Sequence, residues 1–487
     1  MNKNDLFDSL SRIDDDLIAR SNQKDKYKKE DKKMSAKSVF LKRVLPVAAS
    51  LAIVIATIFG IQNLHTNKIL SSNNDSPKVS FMKYSVAQPD IPEQIQLNYD
   101  YNSEQSSAYY EQNGNRITSN RIDKADFSRF LNSTAQVFLS GQDNKNKVYS
   151  PVNVYIALSM LASCTDGNTQ RQILDVLGAD SEASARQIAT KLLKGNYVDN
   201  GSKKSLLTNS IWTGSKYNLN KNFLLEFSQS YYAPVFTGDP SEKKYSEALQ
   251  KWLKSASGHL LDDAANDIEF DKEMALTLVS TLYYSANWDS EFLEENNTDG
   301  VFRSPEGEQN CTFMNQNSYG TYIKRDSFSA VTKQISSGGY MYFILPDEGV
   351  APETIIGSED LTDMLCIDNI FDEGVADINL SVPKFDISSD LDLKNQLISL
   401  GMTDAFDFAK ADYSPVSEDE LFLSKIQHSA RVAIDEKGVT AAAFTVEMAN
   451  GMGMLNETVD FTLDRPFVFA ITGDTGDVMF IGIVNQI

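Results

Sequence analysis

A chain of 487 residues holding 67 Asp/Glu against 45 Lys/Arg carries a net charge of −22. That acidic surface repels phosphate, and with no basic stripe to offset it the sequence argues against binding nucleic acid. Three cysteines (Cys164, Cys311, Cys366) and three histidines (His65, His259, His428) form no CxxC or Cys/His metal pattern, and HExxH, GxSxG and P-loop signatures are missing, so an enzyme is disfavoured and neither metal nor cofactor is implied.

The chain opens with an amphipathic helical pattern over residues 5–20, where Leu6, Leu10, Ile13 and Leu17 share a face. Residues 24–43 add nine Lys/Arg and three acids, and the whole segment 1–43 reads as a cytoplasmic basic head. Val44 to Ile61 is apolar apart from Pro46, Ser50, Thr57 and Gly60. Its eighteen residues would span roughly 27 Å as a helix, close to the thickness of a bilayer's hydrocarbon. Basic residues crowd before it and thin out after it, so the spacing predicts a single-pass anchor with the N-terminus inside. A cleaved signal peptide fits less well, because more than forty residues precede the segment and no small-x-small site follows Gly60. Residues 62–120, rich in Asn, Ser, Gln and Tyr, read as a flexible stalk whose tyrosines could pack on the body.

From Arg121 onward the pattern turns globular. Helices are predicted over 123–139, over 151–164 with proline in the first turn, and over 167–177. Strands are predicted at 208–213, 276–284, 340–345, 377–385, 432–435, 461–463 and 467–472, giving a mixed α+β fold with helices crowding the first half. The stretch Val432 to Thr445 begins as a strand, passes through Gly438, and continues in small side chains that strands do not favour. Between it and Arg465-Pro466-Phe467-Val-Phe469 lies a long segment with Met448, Gly451, Met452, Gly453 and Met454. The pattern alone leaves open an Ala-rich helix, a passive loop or a bait loop.

Several motifs in one order decide the matter. They are Tyr149-Ser-Pro-Val-Asn153, Asn209-Ser-Ile-Trp212 followed by Phe223 and Tyr231, and Leu278-Val-Ser-Thr-Leu-Tyr-Tyr-Ser-Ala-Asn-Trp288. Phe343-Ile-Leu-Pro-Asp-Glu-Gly349, Val382-Pro-Lys-Phe385, Leu400-Gly-Met402 and Leu423-Ser-Lys-Ile-Gln-His428 come next. Asp435-Glu-Lys-Gly438, Asp464-Arg-Pro-Phe467 and Phe480-Ile-Gly482 complete the series. Over about residues 121–487 the chain resembles the serpin family of serine protease inhibitors. The resemblance implies three β-sheets with eight to nine helices, an exposed reactive-centre loop and a metastable state. A protease that cuts the loop is carried along as the loop inserts into the main sheet, and is disabled.

The family's hinge spacing, counted from Glu436, implies a reactive bond at Met452–Gly453, with Met448 and Met454 as alternatives. Gly438 to Met452 would reach about 50 Å when extended, and a body of this size has a diameter of about 50–55 Å. The resemblance further implies a loop hinge of Glu436, Gly438, Val439, Thr440, Ala441, Ala442 and Ala443. It implies a sheet-closing cluster (the shutter) of Ser150, Asn153, Ser280 and His428, with serine at 280 where asparagine is usual. Trp288 marks where the loop first enters the sheet (the breach). Val439 departs from the usual Thr or Ser, Phe444 from a small residue, and Glu447 would meet the inner face. A Met at the cleaved bond suits elastase-, chymotrypsin- or subtilisin-like proteases and not a trypsin-like pocket. The expected partner is such a protease, the expected state a monomer. The competing reading is a non-inhibitory binding or transmembrane signalling protein of the same fold.

Overall fold

Helix formation in the centre of the molecule follows from a helix that is apolar on every side. In the computed structural model, which describes residues 81–91, 104–141, 144–200, 203–259, 261–266, 268–366, 374–439 and 458–487, Pro151 to Ala162 are all buried. An all-round apolar helix has to sit inside a protein. Proline at its first turn and the Ser150 side chain accepting from Asn153 N fix where it starts.

This helix is α3 (Pro151–Ser163), preceded by α1 (Glu104–Ser119) and α2 (Lys124–Phe138) and followed by α4 (Gly167–Leu177) and α5 (Glu182–Asn196). Helices α6 (Lys221–Tyr231) and α7 (Lys243–Ala256) complete the longer ones among the described residues. The predicted helices over 123–139, 151–164 and 167–177 therefore match to within a residue.

Two sheets flank α3. The first has eight strands in the order β1 (Ser85–Ala87), β5 (Val235–Gly238), β4 (Lys203–Gly214), β6 (Leu276–Asn287), β14 (Gly438–Val439), β13 (Leu423–Ile434) and β12 (Phe385–Asp392). Its eighth strand, β3 (Val198–Asp199), pairs beside β4. The second has nine: β15 (Thr458–Thr462), β11 (Val375–Pro383), β8 (Gly307–Lys324), β9 (Phe328–Gln334), β10 (Tyr340–Pro346), β16 (Phe467–Thr472), β17 (Val478–Val484) and β2 (Lys147–Tyr149), with β7 (Thr298–Ser304) beside β8. The three sheets implied by the resemblance appear in this form because β8 is long enough to serve two of them. It pairs with β7 and β11 up to Thr321 and with β9 from Tyr322 to Lys324.

Strand predictions fall short where polar residues hide a strand. Thr208–Thr213 is the second half of β4, and 432–435 is the end of β13. The predicted run 377–385 breaks at Lys384 into β11 and β12. Of the free cysteines only Cys164 is fully buried; Cys311 and Cys366 are partly exposed.

The flexible stalk does not hold for its two described pieces. In residues 81–91, β1 adds an edge strand to the first sheet, with Ser85 opposite Phe236 and Ala87 opposite Val235. Phe81 meets the Phe236 ring edge-on at 6.1 Å, and Tyr84 meets Tyr245 at 4.8 Å. Helix α1 docks through Tyr109, whose hydroxyl accepts from Asn200 Nδ2 at 2.7 Å, and through Arg116, which donates to Gly195 O and Asp474. A composition rich in Asn, Gln and Ser masked a segment anchored by a few aromatic residues and one arginine. Residues 1–80, on which the expected head, the expected 44–61 anchor and the first part of the expected stalk fall, lie outside the described residues. Among those described, no helix is long and apolar enough to cross a membrane.

Arg116 completes a buried ionic triad. Asp474, on the turn between β16 and β17, also binds Lys203 at the head of β4, and the Asp474 and Lys203 side chains are each 1 % exposed. Burial alone would raise the Asp474 carboxyl, but Lys203 and Arg116 outweigh it and hold it below the usual range. Removing one partner of a buried pair leaves a charge uncompensated, at about 3–5 kcal/mol. Asp474→Asn should therefore lower the thermal midpoint sharply, and Arg116→Met, which leaves the Lys203–Asp474 pair intact, by much less. Circular dichroism melts of the two variants at neutral pH check this; an Asp474→Asn protein that melts with the unaltered one refutes it.

Candidate functional site

The sequence-predicted site residues that are described gather along one line, the seam between β6 and β13. These parallel strands pair from Leu276–Leu423 to Thr281–Ser429. Above that, β6 finds its next partner on this side only in β14, with Val439 opposite Ala286 and Gly438 opposite Asn287. Val439 also pairs with Ile434 of β13, so the two-residue strand sits between them. From Leu282 to Ser285 no ladder pair joins the seam among the described residues.

The lower seam is locked by a polar cluster. Ser150 N donates to His428 Nε2 at 3.0 Å. A backbone N–H can only donate, so Nε2 is unprotonated, the ring proton sits on Nδ1, and it is directed to Ser280 Oγ at 3.4 Å. Ser150 Oγ accepts from Asn153 N at 3.2 Å, and Asn153 Oδ1 accepts from Asn209 Nδ2 at 3.0 Å. All four predicted shutter residues are thus brought together. Asn209, which sequence reading missed, faces Ser280 across the β4–β6 ladder and joins the cluster through its amide on Asn153. Its place in Asn209-Ser-Ile-Trp212 carries no sign of a polar role.

The upper seam is held by the hinge turn. Asp435 Oδ1 accepts from Lys437 N and Gly438 N at 2.8 and 3.1 Å, folding the chain back on itself. A Cβ on Gly438 would lie 2.2 Å from Ala286 O, so only glycine can approach β6 this closely. Trp288 donates from Nε1 to Asp435 O and from its backbone N to Lys437 O, both at 2.9 Å. Phe292 N donates to Glu436 O at 2.9 Å. The Glu436 carboxylate pairs with Lys384 at 2.5 Å and accepts from Asn297. Burial would raise it, yet these donors hold it below the usual carboxylate range. Lys384, Asn297 and Phe292 were not assigned roles from sequence, because strand spacing carries no sign of which side chain will meet a turn. Thr440, Ala441, Ala442, Ala443, Met452 and Gly453 lie outside the described residues.

His428 is fully buried, and that burial pushes its pKa down to about 3 from an ordinary 6.5. Between these two values the unfolded chain holds a proton that the folded chain does not. The contribution to stability is therefore complete above pH 6.5 and is lost as pH falls toward 3, at about 1.4 kcal/mol per unit. A charged ring would also turn a second N–H toward Ser150 N. Urea melts of the unaltered protein at pH 7.5, 6.0 and 5.0 should show this slope, with His428→Gln less stable at pH 7.5 and flatter below 6.5. Parallel pH profiles for the two would remove His428 as the cause.

Comparison with known proteins agrees with this geometry. The family model "Serpin (serine protease inhibitor)" matches residues 127–487. Serpin B6 of Pongo abelii is 28 % identical over 369 residues, covering 70 % of this chain and 94 % of its own length. Leukocyte elastase inhibitor A of Rattus norvegicus is 27 % identical over 353 residues, covering 69 % and 92 %. The crystal structure of tengpin, a thermophilic serpin in its native state, superposes with a TM-score of 0.67 at 26 % identity, covering 75 % of this chain and 94 % of that one. Protease inhibition is the general activity of this family, and a target protease its general partner. With its sheet seam, hinge glycine and buried histidine cluster in place, the chain belongs to the serpin family.

Proposed function

We propose that this protein is a suicide-substrate inhibitor of serine proteases, cleaved at Met452–Gly453 and tethered to a membrane by residues 44–61. The observation that carries the reading is β14. The first two residues of the loop already occupy the seam, and Val439 is 1 % exposed on the core side.

Continuing that register down β6 sets Ala441 opposite Tyr284, Ala443 opposite Leu282, Thr445 opposite Ser280 and Ala449 opposite Leu276. The residues of β6 on this face, Tyr284, Leu282, Ser280 and Leu278, are buried. Alanine beside tyrosine and leucine needs no displacement of the core, and no charge is desolvated until Glu447 meets Leu278. Thr445 brings a hydroxyl to the shutter. Glu447 is the one costly residue, since burying an unpaired carboxylate costs several kcal/mol unless it takes up a proton. It arrives after most of the strand is in place. Phe444 falls on the opposite face, beside the buried Thr281, where its bulk slows insertion.

A strand filling all 12 residues of β6 leaves Met452 beyond the sheet's far end, carrying any attached protease with it. An unbranched thioether fits the apolar pockets of elastase-, chymotrypsin- and subtilisin-like enzymes. The anchor, with residues 1–43 in the cytoplasm, would display the inhibitor outside the cell as a monomer. Added protease should then reach the folded domain on intact cells but spare the head.

Incubation with chymotrypsin, elastase or subtilisin should give a covalent complex that survives detergent, and a released fragment beginning at Gly453. Val439→Arg, which sets a charge at the buried hinge position, should lower the yield of complex at least tenfold and give cleaved inhibitor with active protease instead. If the unaltered protein is cut, gains no thermal stability and leaves every protease active, the non-inhibitory alternative holds.

A further inference from the structure

Strand β9 breaks the pattern its own face sets. Val331 and Ile335 are fully buried there, and between them in the alternation stands Lys333, 7 % exposed. Its ammonium lies 4.2 Å from the centre of the Phe292 ring and 5.4 Å from that of Trp288. It donates to Ser290 O at 2.7 Å and to Gln316 Oε1. Gln316 in turn donates from Nε2 to Ser290 Oγ and Glu291 O, both at 3.0 Å. Lys333 and Gln316 thus pin the bend Trp288–Phe292 from beneath. From above, the same bend gives Trp288 N, Trp288 Nε1 and Phe292 N to the three carbonyls of the hinge turn, Lys437, Asp435 and Glu436.

We propose that Lys333 is a positioning residue for loop trapping, whose protonated ammonium steadies the Trp288–Phe292 bend and through it keeps the hinge seated as β14. The inference rests on the inhibitory reading. A charged lysine is attracted to both ring faces and makes charge-assisted hydrogen bonds to Ser290 and Gln316; a neutral amine loses the first and weakens the second. Burial pulls Lys333 down to about 7 from an ordinary 10.5, Asp289 opposing. Of the other acids nearby, Glu436 is engaged by Lys384 and Asn297, and Glu291 lies on the bend with its carbonyl held by Gln316. Tyr340, at the start of the neighbouring β10, has its hydroxyl raised by burial and then by Asp289, and stays neutral over this range. No carboxylate lies within ion-pair distance of Lys333 among the described residues. Lys333 is therefore charged on the acid side of neutrality and neutral on the alkaline side.

A loosely seated hinge inserts late and lets more protease hydrolyse free. The number of inhibitor molecules consumed per protease should rise about threefold or more between pH 6 and 8.5 relative to Lys333→Arg, which stays charged throughout. Taking that ratio at each pH cancels the protease's own profile. Lys333→Met should be high and flat relative to Lys333→Arg. In the uncut protein, tryptophan emission should titrate near pH 7 in the unaltered chain and lose that step in Lys333→Met. Should Lys333→Arg fail to fold, the emission titration and the Met variant still decide. Trapping that occurs but keeps one ratio across the range overturns the role of Lys333 and leaves the inhibitory reading intact. An emission step that persists in Lys333→Met also overturns it. An emission step lost in the Met variant, in a protein that traps no protease, supports the positioning of the bend and refutes the inhibitory reading.

Discussion

The structure turns on a seam that is laddered only in part among the described residues. Backbone N–H and C=O groups in a protein interior need partners, and β6 meets this on the β4 side from Leu276 to Ala286. On the other side, among the described residues, it is paired to β13 as far as Thr281 and to β14 at Ala286 and Asn287. A strand completing this side would form a ladder along β6 and another along β13. It would first break the six β6–β13 pairs, and at about 1 kcal/mol net per hydrogen bond the two new ladders would still gain on the order of 10 kcal/mol. A folded domain is stable by about 5–15 kcal/mol in all. On the proposed mechanism, completing this side would therefore release free energy comparable to the stability of the whole body, and a barrier has to hold until the loop is cut.

That barrier is spread over small devices, none large enough alone. The His428 cluster ties β13 and β6 to the start of α3 through a backbone donor, a ring and a hydroxyl. The Asp435 turn and the Lys384–Glu436 pair hold the top. Each is worth about 1–3 kcal/mol, so opening the seam means breaking several at once. Gly438 has a different part: its missing Cβ lets the first rung form at all, which on the proposed mechanism makes β14 the nucleus from which insertion would run without a new chain reversal.

Much of this was legible in the residues, and what was not has identifiable causes. Apolar runs such as 151–163 and 467–472 announce buried elements because nothing else accommodates them. The shutter residues followed from motif order, and all four meet. Asn209 escaped because an amide in a strand looks like any polar residue until its neighbour across the ladder, Ser280, is seen to lack one. The docked extension escaped because three aromatic anchors and an arginine in a stretch rich in Asn, Ser and Gln do not raise the average of any window. β8 escaped because it is a long strand with one face in water, whose Gln, Asn and Ser side chains read as loop.

Two buried lysines make the last point. Lys203 and Lys333 are alike in type and in depth, and both sit near the upper end of the first sheet. Burial penalises the charge of each, but Lys203 meets the Asp474 carboxylate, which outweighs that penalty and keeps its pKa above the ordinary value. It is a permanent ion, fit to staple β4 to the second sheet. Lys333 meets two rings, a carbonyl and an amide, which favour its charge without compensating it, and it titrates near neutrality instead. A cation that only needs to fill space would be replaced at no cost by the leucine its register calls for, since buried ions seldom outperform apolar packing. Local rules are broken most often where function needs it. The broken rule here lies one bend away from the two residues on which the first rung of insertion depends.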